Sequence, residues 1–239
     1  MKPTIKNIKS LAKQRKVIRG IDLFELPIET LNNICDICVD EVQTSVLAKL
    51  EPEWNSTWKS IRVLNEEEAK KNHKAIPRLD TLVEVVTENL QRSSPVKVSM
   101  TRNVGPEYCF YASKKNDRDY SDWVHVPEPY RFSHSKYFYK IYFHELGHAA
   151  CSRNRLCLKF GSMDEEEVTV DTIAMILCFL SGVNVWNDSI AYSQDRSYDL
   201  TTGELCVRTA RQWRSIRSKV KRILKFLLTG RLNPTGLTI

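Results

Sequence analysis

Two histidines stand four residues apart with a glutamate directly after the first, in the run His144-Glu145-Leu-Gly-His148. On an α-helix, positions i and i+4 share one face about a turn apart, so both imidazoles can converge on one tetrahedral ion. Glu145 lies beside them, placed to take a proton from water rather than to ligate the ion, which is the task of a general base. Catalytic sites of this kind use three protein ligands and keep a further position for water. The third is expected from Glu167-Val-Thr-Val-Asp171, again an i, i+4 pair on one helical face. We read Glu167 as the ligand and Asp171 as the acceptor of a ring N–H from a ligand histidine, His144 first; the reverse, with Asp171 on the metal, is the alternative. A mixed imidazole and carboxylate set suits Zn2+. Glu165 and Glu166 are expected to cap the helix or face solvent. Tyr192 and Tyr198, in a loop expected after the glutamate helix, are candidate oxyanion stabilisers. His73, His125 and His134 read as surface or packing residues.

These side chains need two helices and a platform. Ser133 is the expected N-cap of the first helix, with Tyr137, Phe138, Ile141 and Tyr142 as its apolar face. Gly147 inside it costs about 1 kcal/mol relative to Ala, which a close approach by another backbone would justify. The second helix should begin near Ser162 or Asp164, with an acidic first turn that suits the helix dipole. It then runs apolar through Val168, Val170, Ile173, Ile176, Leu177, Phe179 and Leu180, and should end near Gly182. Upstream, Val96–Met100, Tyr108–Ala112 and Trp123–Val126 read as strands, with Ser113–Asp122 as a loop. Before them, Leu31–Leu50 and a stretch from Pro77 through Leu90 carry helical apolar spacing. Cys35 and Cys38 fall on the apolar face of the first of these, so core packing is the reading rather than a metal or redox pair. Trp54 and Trp58, four apart, read as a packing pair, and Glu66–Lys74 as a charged exposed segment.

The implied class is α+β: a zincin-like domain with a small, mainly antiparallel sheet, an HExxH helix and a glutamate helix, plus helical N- and C-terminal extensions. The expected divisions are a basic start and helical extension over 1–77, the metal-binding domain over 78–182, and a loop with a basic amphipathic helix over 183–239.

The 239 residues are 42% hydrophobic and 27% charged, with no apolar run of about 20 residues, so a transmembrane helix is not expected. Met1–Gly20 is basic but lacks the apolar core of a secretory signal, and seven cysteines without framework spacing fit free thiols; a cytoplasmic location is expected. The net charge of +7 is uneven. Residues 1–21 hold seven Lys/Arg and residues 205–239 hold nine, both without an acid, leaving 22–204 at a net −9. Val207–Leu228 sets Arg208, Arg211, Arg214, Arg217, Lys221 and Arg222 against an apolar stripe. Those cations are candidates for binding single- or double-stranded DNA, with a solvated face or an anionic membrane surface as the other readings.

Several short runs occur in one order: Phe110-Tyr111, Val124-His-Val-Pro127, Arg131-Phe132, Tyr137-Phe-Tyr139, His144-Glu-Leu-Gly-His148, Arg155-Leu156, Phe160-Gly-Ser162 and Glu166-Glu-Val168. Over roughly residues 78–182 this resembles the zincin-like metallopeptidase domain of ArdC-type antirestriction proteins, which plasmids and phages carry. More distantly, Glu167-Val-Thr-Val-Asp-Thr-Ile-Ala174 is similar to the ImmA/IrrE-type peptidases. Asp171 stands where such proteins often have Glu, with shorter reach. The resemblance implies a zinc-binding domain acting in the cytosol of a host or recipient cell. The DNA-binding N-terminal domain of that family has no match in the first 77 residues, so DNA binding rests on the basic ends alone.

Three functions follow as expectations. One is a zinc metallopeptidase cutting a host protein, with the substrate extended beside a sheet edge at Trp123–Val126. Another is a DNA-binding antirestriction protein whose zinc is structural. The last is a non-catalytic binder of a host protein.

Overall fold

The structure is a computed structural model that describes residues 27–48, 67, 70–71, 77–102, 109–115, 120–132, 134–197 and 208–231. In chain order the elements are α1 (Ile28–Ala48), α2 (Pro77–Ser93), β1 (Val96–Thr101), β2 (Phe110–Lys115), β3 (Tyr120–Pro127), a 3-10 turn at Pro129–Arg131, α3 (Ser135–Cys151), α4 (Met163–Leu180), α5 (Trp186–Asp195) and α6 (Ala210–Thr229). The class is α+β, as expected from the sequence. Ser133, His73, Trp54, Trp58, Tyr198 and the basic start lie outside the described residues. Among the described residues no helix is long and apolar enough to cross a membrane.

The sheet differs from expectation in order and direction. β3 lies in the centre, parallel to β1 and antiparallel to β2, so the sheet is mixed and Trp123–Val126 is not an edge. The polar stretch expected to be a loop is mostly strand, with Ser113 opposite Asp122 and Lys115 opposite Tyr120. Backbone ladder bonds hold a hairpin whether or not its side chains are apolar, so polarity alone misread it. Alternation along β3 buries Val124 and Val126 under α3.

α1 buries Leu31, Ile34, Cys35, Cys38, Val39, Val42 and Val46, so the two cysteines are core residues. α6 lays Trp213, Ile216, Val220, Ile223 and Leu227 against α1, α2 and α4, in one core shared with α3. Its ends are capped from both sides. Thr209 and Gln212 form a capping box, and Gly230 takes the left-handed conformation while Asn89 of α2 donates Nδ2–H to the Leu227 carbonyl at 2.8 Å. The second core feature invisible to periodicity is an ion pair. Arg155, after α3, holds Asp122 of β3 at 2.5 Å with both side chains fully buried, and also donates to the Leu90, Ser94 and Ala149 carbonyls. It thereby ties α2, the sheet and α3 together.

α3 and α4 meet at Gly147. A Cβ there would lie 3.0 Å from Val170 Cβ and 3.5 Å from Val170 Cα, atoms that no rotamer change can move aside. The glycine is therefore the close-approach residue that its helix propensity cost implied. Gly147→Val should lose about 1–3 kcal/mol from overpacking, read as a lower urea midpoint.

Candidate metal centre

The antiparallel meeting of α3 and α4 sets the site. His144 and His148 project from one face of α3, and Glu167 reaches between them from α4. Its Oε2 is 3.2 Å from His144 Nε2 and its Oε1 3.4 Å from His148 Nε2, and the two Nε2 atoms are 3.2 Å apart. All three donor atoms lie within 4.8 Å of one another. Two imidazoles and one carboxylate are the donor set of a three-ligand zinc site, so the residues fit the ion.

Each histidine turns Nε2 inward because its Nδ1 is claimed from outside. Asp171 Oδ1 stands 3.5 Å from His144 Nδ1, on the side expected for an outer partner rather than among the converging donors. Glu166 Oε1 accepts from His148 Nδ1 at 2.8 Å. Glu166 was expected to cap or face solvent, and it does neither alone, since the antiparallel crossing brings His148 over the start of α4. Glu165 is buried instead, accepting from the Gly161 N–H at 3.0 Å and pairing with Lys219 of α6 at 2.6 Å, while Ser162 caps the Glu165 N–H. The sequence reading also passed over Lys140. It lies one turn before His144 on the same face, 2% exposed, and donates to Asp171 Oδ1 at 2.6 Å. A lysine inside an otherwise apolar helix face is the signal that would have found it.

Burial lowers the His148 pKa, but Glu166 and Glu167 outweigh it and lift the imidazole to about 10. Burial raises Glu167, and His144 and His148 overcome this to hold it well below the usual carboxylate range. Burial likewise raises Asp171, with Lys140 and His144 bringing it down. Glu145 is different: burial pushes its carboxyl up, and the Tyr111 backbone hydrogen bond and the two histidines only partly oppose that. A carboxylate raised toward neutrality beside the ligands has the character of a general base.

The trio and Glu145 open into a cleft of about 440 Å³, lined also by Cys109, Phe110 and Tyr111 at the start of β2 and by Met163, Tyr192 and Arg196. Phe110 and Met163 are 42% and 76% exposed. Tyr192 sits on helix α5, not in a loop. The buried positions of α5 and the turn after it include Ser189, Ser193 and Ser197, whose small polar side chains conceal the amphipathic period. The Tyr192 hydroxyl donates to Glu167 Oε2 at 2.5 Å, so it orients the Glu167 carboxylate.

The C-terminal cations are distributed differently. Arg217 pairs with Asp36 and Asp40, and Lys221 with Asp36, all across to α1. Arg208 donates to Ser197 Oγ and the Asp164 and Arg196 carbonyls. Arg222 is half-buried, while Arg211 and Arg214 are exposed.

No curated protein and no solved structure matches this chain. A family model described as zincin-like metallopeptidase (MPTase-PolyVal) matches residues 97–195, beginning in β1 and ending with α5, so that Tyr192 belongs to the matched unit. Metal in that family is usually zinc. The HExxH helix, the glutamate helix and the mixed sheet all fall within the matched span, so residues 97–195 are similar to a zincin-like metallopeptidase domain.

Proposed function

We propose that the protein is a zinc-dependent endopeptidase acting on a protein of a host or recipient cell, in the service of a plasmid or phage. The convergence of His144, His148 and Glu167 beside a buried Glu145 carries the reading. His144, His148 and Glu167 would hold the ion. Zinc, when bound, supplies Lewis acidity that lowers the pKa of water and polarises a carbonyl. Glu145 takes a proton from the attacking water as the new C–O bond forms at the carbonyl carbon. It then returns that proton to the amide nitrogen as the C–N bond breaks, so one water is consumed and a carboxylate and an amine are released.

β2 is the strand that can align a substrate, in place of the central Trp123–Val126. It pairs with β3 on one side, and among the described residues nothing pairs with its other side. Its Tyr111 N–H also fixes Glu145, which links the substrate register to the base. An extended peptide added along this edge would bring backbone carbonyls past Glu145, with apolar side chains against Phe110 or Met163.

The mobile-element setting and the antirestriction or counter-defence role rest on the resemblance to ArdC-type domains. Against DNA binding as the main task, Arg208, Arg217 and Lys221 are engaged within the protein, leaving Arg211 and Arg214 as the exposed cations among those nominated. Metal analysis of the purified protein should give about one zinc per chain, falling to background in His144→Ala. Mass spectrometry of labelled N-termini from cells expressing the wild-type protein should then reveal new termini that His144→Ala does not produce. Zinc without new termini would leave a structural metal and refute the peptidase reading.

A further inference from the structure

We infer that Arg196 stabilises the substrate's carbonyl oxygen as it becomes anionic, an assignment that rests on the metallopeptidase reading above. The sequence nominates tyrosines for that task, but the Tyr192 hydroxyl has one proton and gives it to Glu167 Oε2. The same oxygen accepts from Arg196 Nε at 3.3 Å, so Tyr192 is spent on both sides. Arg196 is then the arginine that lines the cleft, together with Glu145 and the start of β2.

Three observations fit it to the role. Its Nη2 lies 4.0 Å from Glu167 Oε2, the oxygen that itself stands 3.2 Å from His144 Nε2, so the guanidinium borders the donor trio. Its position is set by the Nε bond and by its approach to the Tyr192 ring, with the guanidinium carbon 5.3 Å from the centroid. Among the described residues neither Nη1 nor Nη2 has a hydrogen-bond acceptor, while the side chain is 36% exposed toward the cleft. A fixed cation with uncommitted donors beside the reacting carbonyl is what electrostatic stabilisation of a developing oxyanion requires. A guanidinium also remains charged across the working pH range.

Two probes separate this role from others, both measured by calorimetry on the zinc-loaded full chain. N-phosphoryl-Leu-Ala presents a tetrahedral anion in place of the scissile carbonyl. A mercaptoacyl-Leu-Ala of the same side chains binds through sulfur and offers Arg196 no such oxygen. Arg196→Ala should weaken the phosphoryl compound by about 10²-fold, the scale of losing one oxyanion donor, and leave the mercaptoacyl compound nearly unchanged. Arg196→Lys should recover part of the loss. Zinc affinity should hold, whereas a residue that only positions Tyr192 and Glu167 would cost about 10–100-fold in metal binding. Equal loss of both probes, loss of neither, or loss of zinc would overturn the assignment while leaving the peptidase reading in place. If the wild-type protein binds zinc and neither probe, the peptidase reading itself fails and takes the assignment with it.

Discussion

Glu145→Gln should reduce hydrolysis of any peptide the wild-type protein cleaves by about 10²–10⁴-fold, with zinc content and thermal melting unchanged. Gln keeps the size of the side chain and can still sit against the Tyr111 backbone, but its amide cannot accept the proton of the attacking water. Because the loss belongs to the transition state, kcat should fall far more than KM rises. Burial raises the Glu145 carboxyl above the ordinary carboxylate range, so activity should decline on the acidic side as that group becomes protonated, and the decline should begin above the pH at which an exposed glutamate titrates. A Gln variant within a few-fold of wild type would remove Glu145 from the mechanism. Unchanged counter-defence activity of that variant in cells challenged with phage or plasmid would show that hydrolysis is not the biological task.

The largest loss of stability should come from the Arg155–Asp122 pair. Arg155→Met strands a carboxylate that has no exposed surface, and breaking a buried pair in this way costs about 3–5 kcal/mol. The Leu90, Ser94 and Ala149 carbonyls each lose one donor at the same time. Asp122→Leu alone leaves a buried guanidinium and should cost a similar amount. The double variant Arg155→Met/Asp122→Leu should be clearly less destabilised than the sum of the two, since an apolar pair of similar volume carries no unpaired charge. Urea unfolding of the four proteins gives the coupling. Strict additivity would show that the two charges do not depend on each other. The pair lies away from the cleft, so zinc affinity of whatever fraction remains folded should be unaltered.

These two sites differ in how they could be read from the chain. The helical period carries His144 and His148 onto one face and sets Glu145 beside them, because one dihedral pattern repeated every 3.6 residues determines which side chains are neighbours. The same rule places Glu167 and Asp171 together, buries Cys35 and Cys38, and marks the apolar stripe of α6. Gly147 too was legible, since a glycine inside a helix needs a reason and Val170 supplies it.

What the period could not determine is anything settled between elements. Strand order depends on which chain segments the loops and core allow to pair, so the central place of β3, and the β2 edge left unpaired among the described residues, were beyond the sequence. The antiparallel crossing of α3 and α4 decided that Asp171 stands behind His144 and Glu166 behind His148, rather than the outward direction that helical position alone assigns to Glu166. Lys140 and Arg155 are buried charges whose partners lie 31 and 33 positions away at Asp171 and Asp122. A helix or strand period relates only residues a few positions apart, whereas a buried charge is stabilised by whichever counter-charge the packing brings within hydrogen-bond reach. The sequence by itself therefore determined that His144 and His148 share one face of α3 with Glu145 beside them. The tertiary structure decided the outer partners of the two histidines, the strand order and which cation lines the cleft, because each of these is a distance between elements that no local repeat encodes.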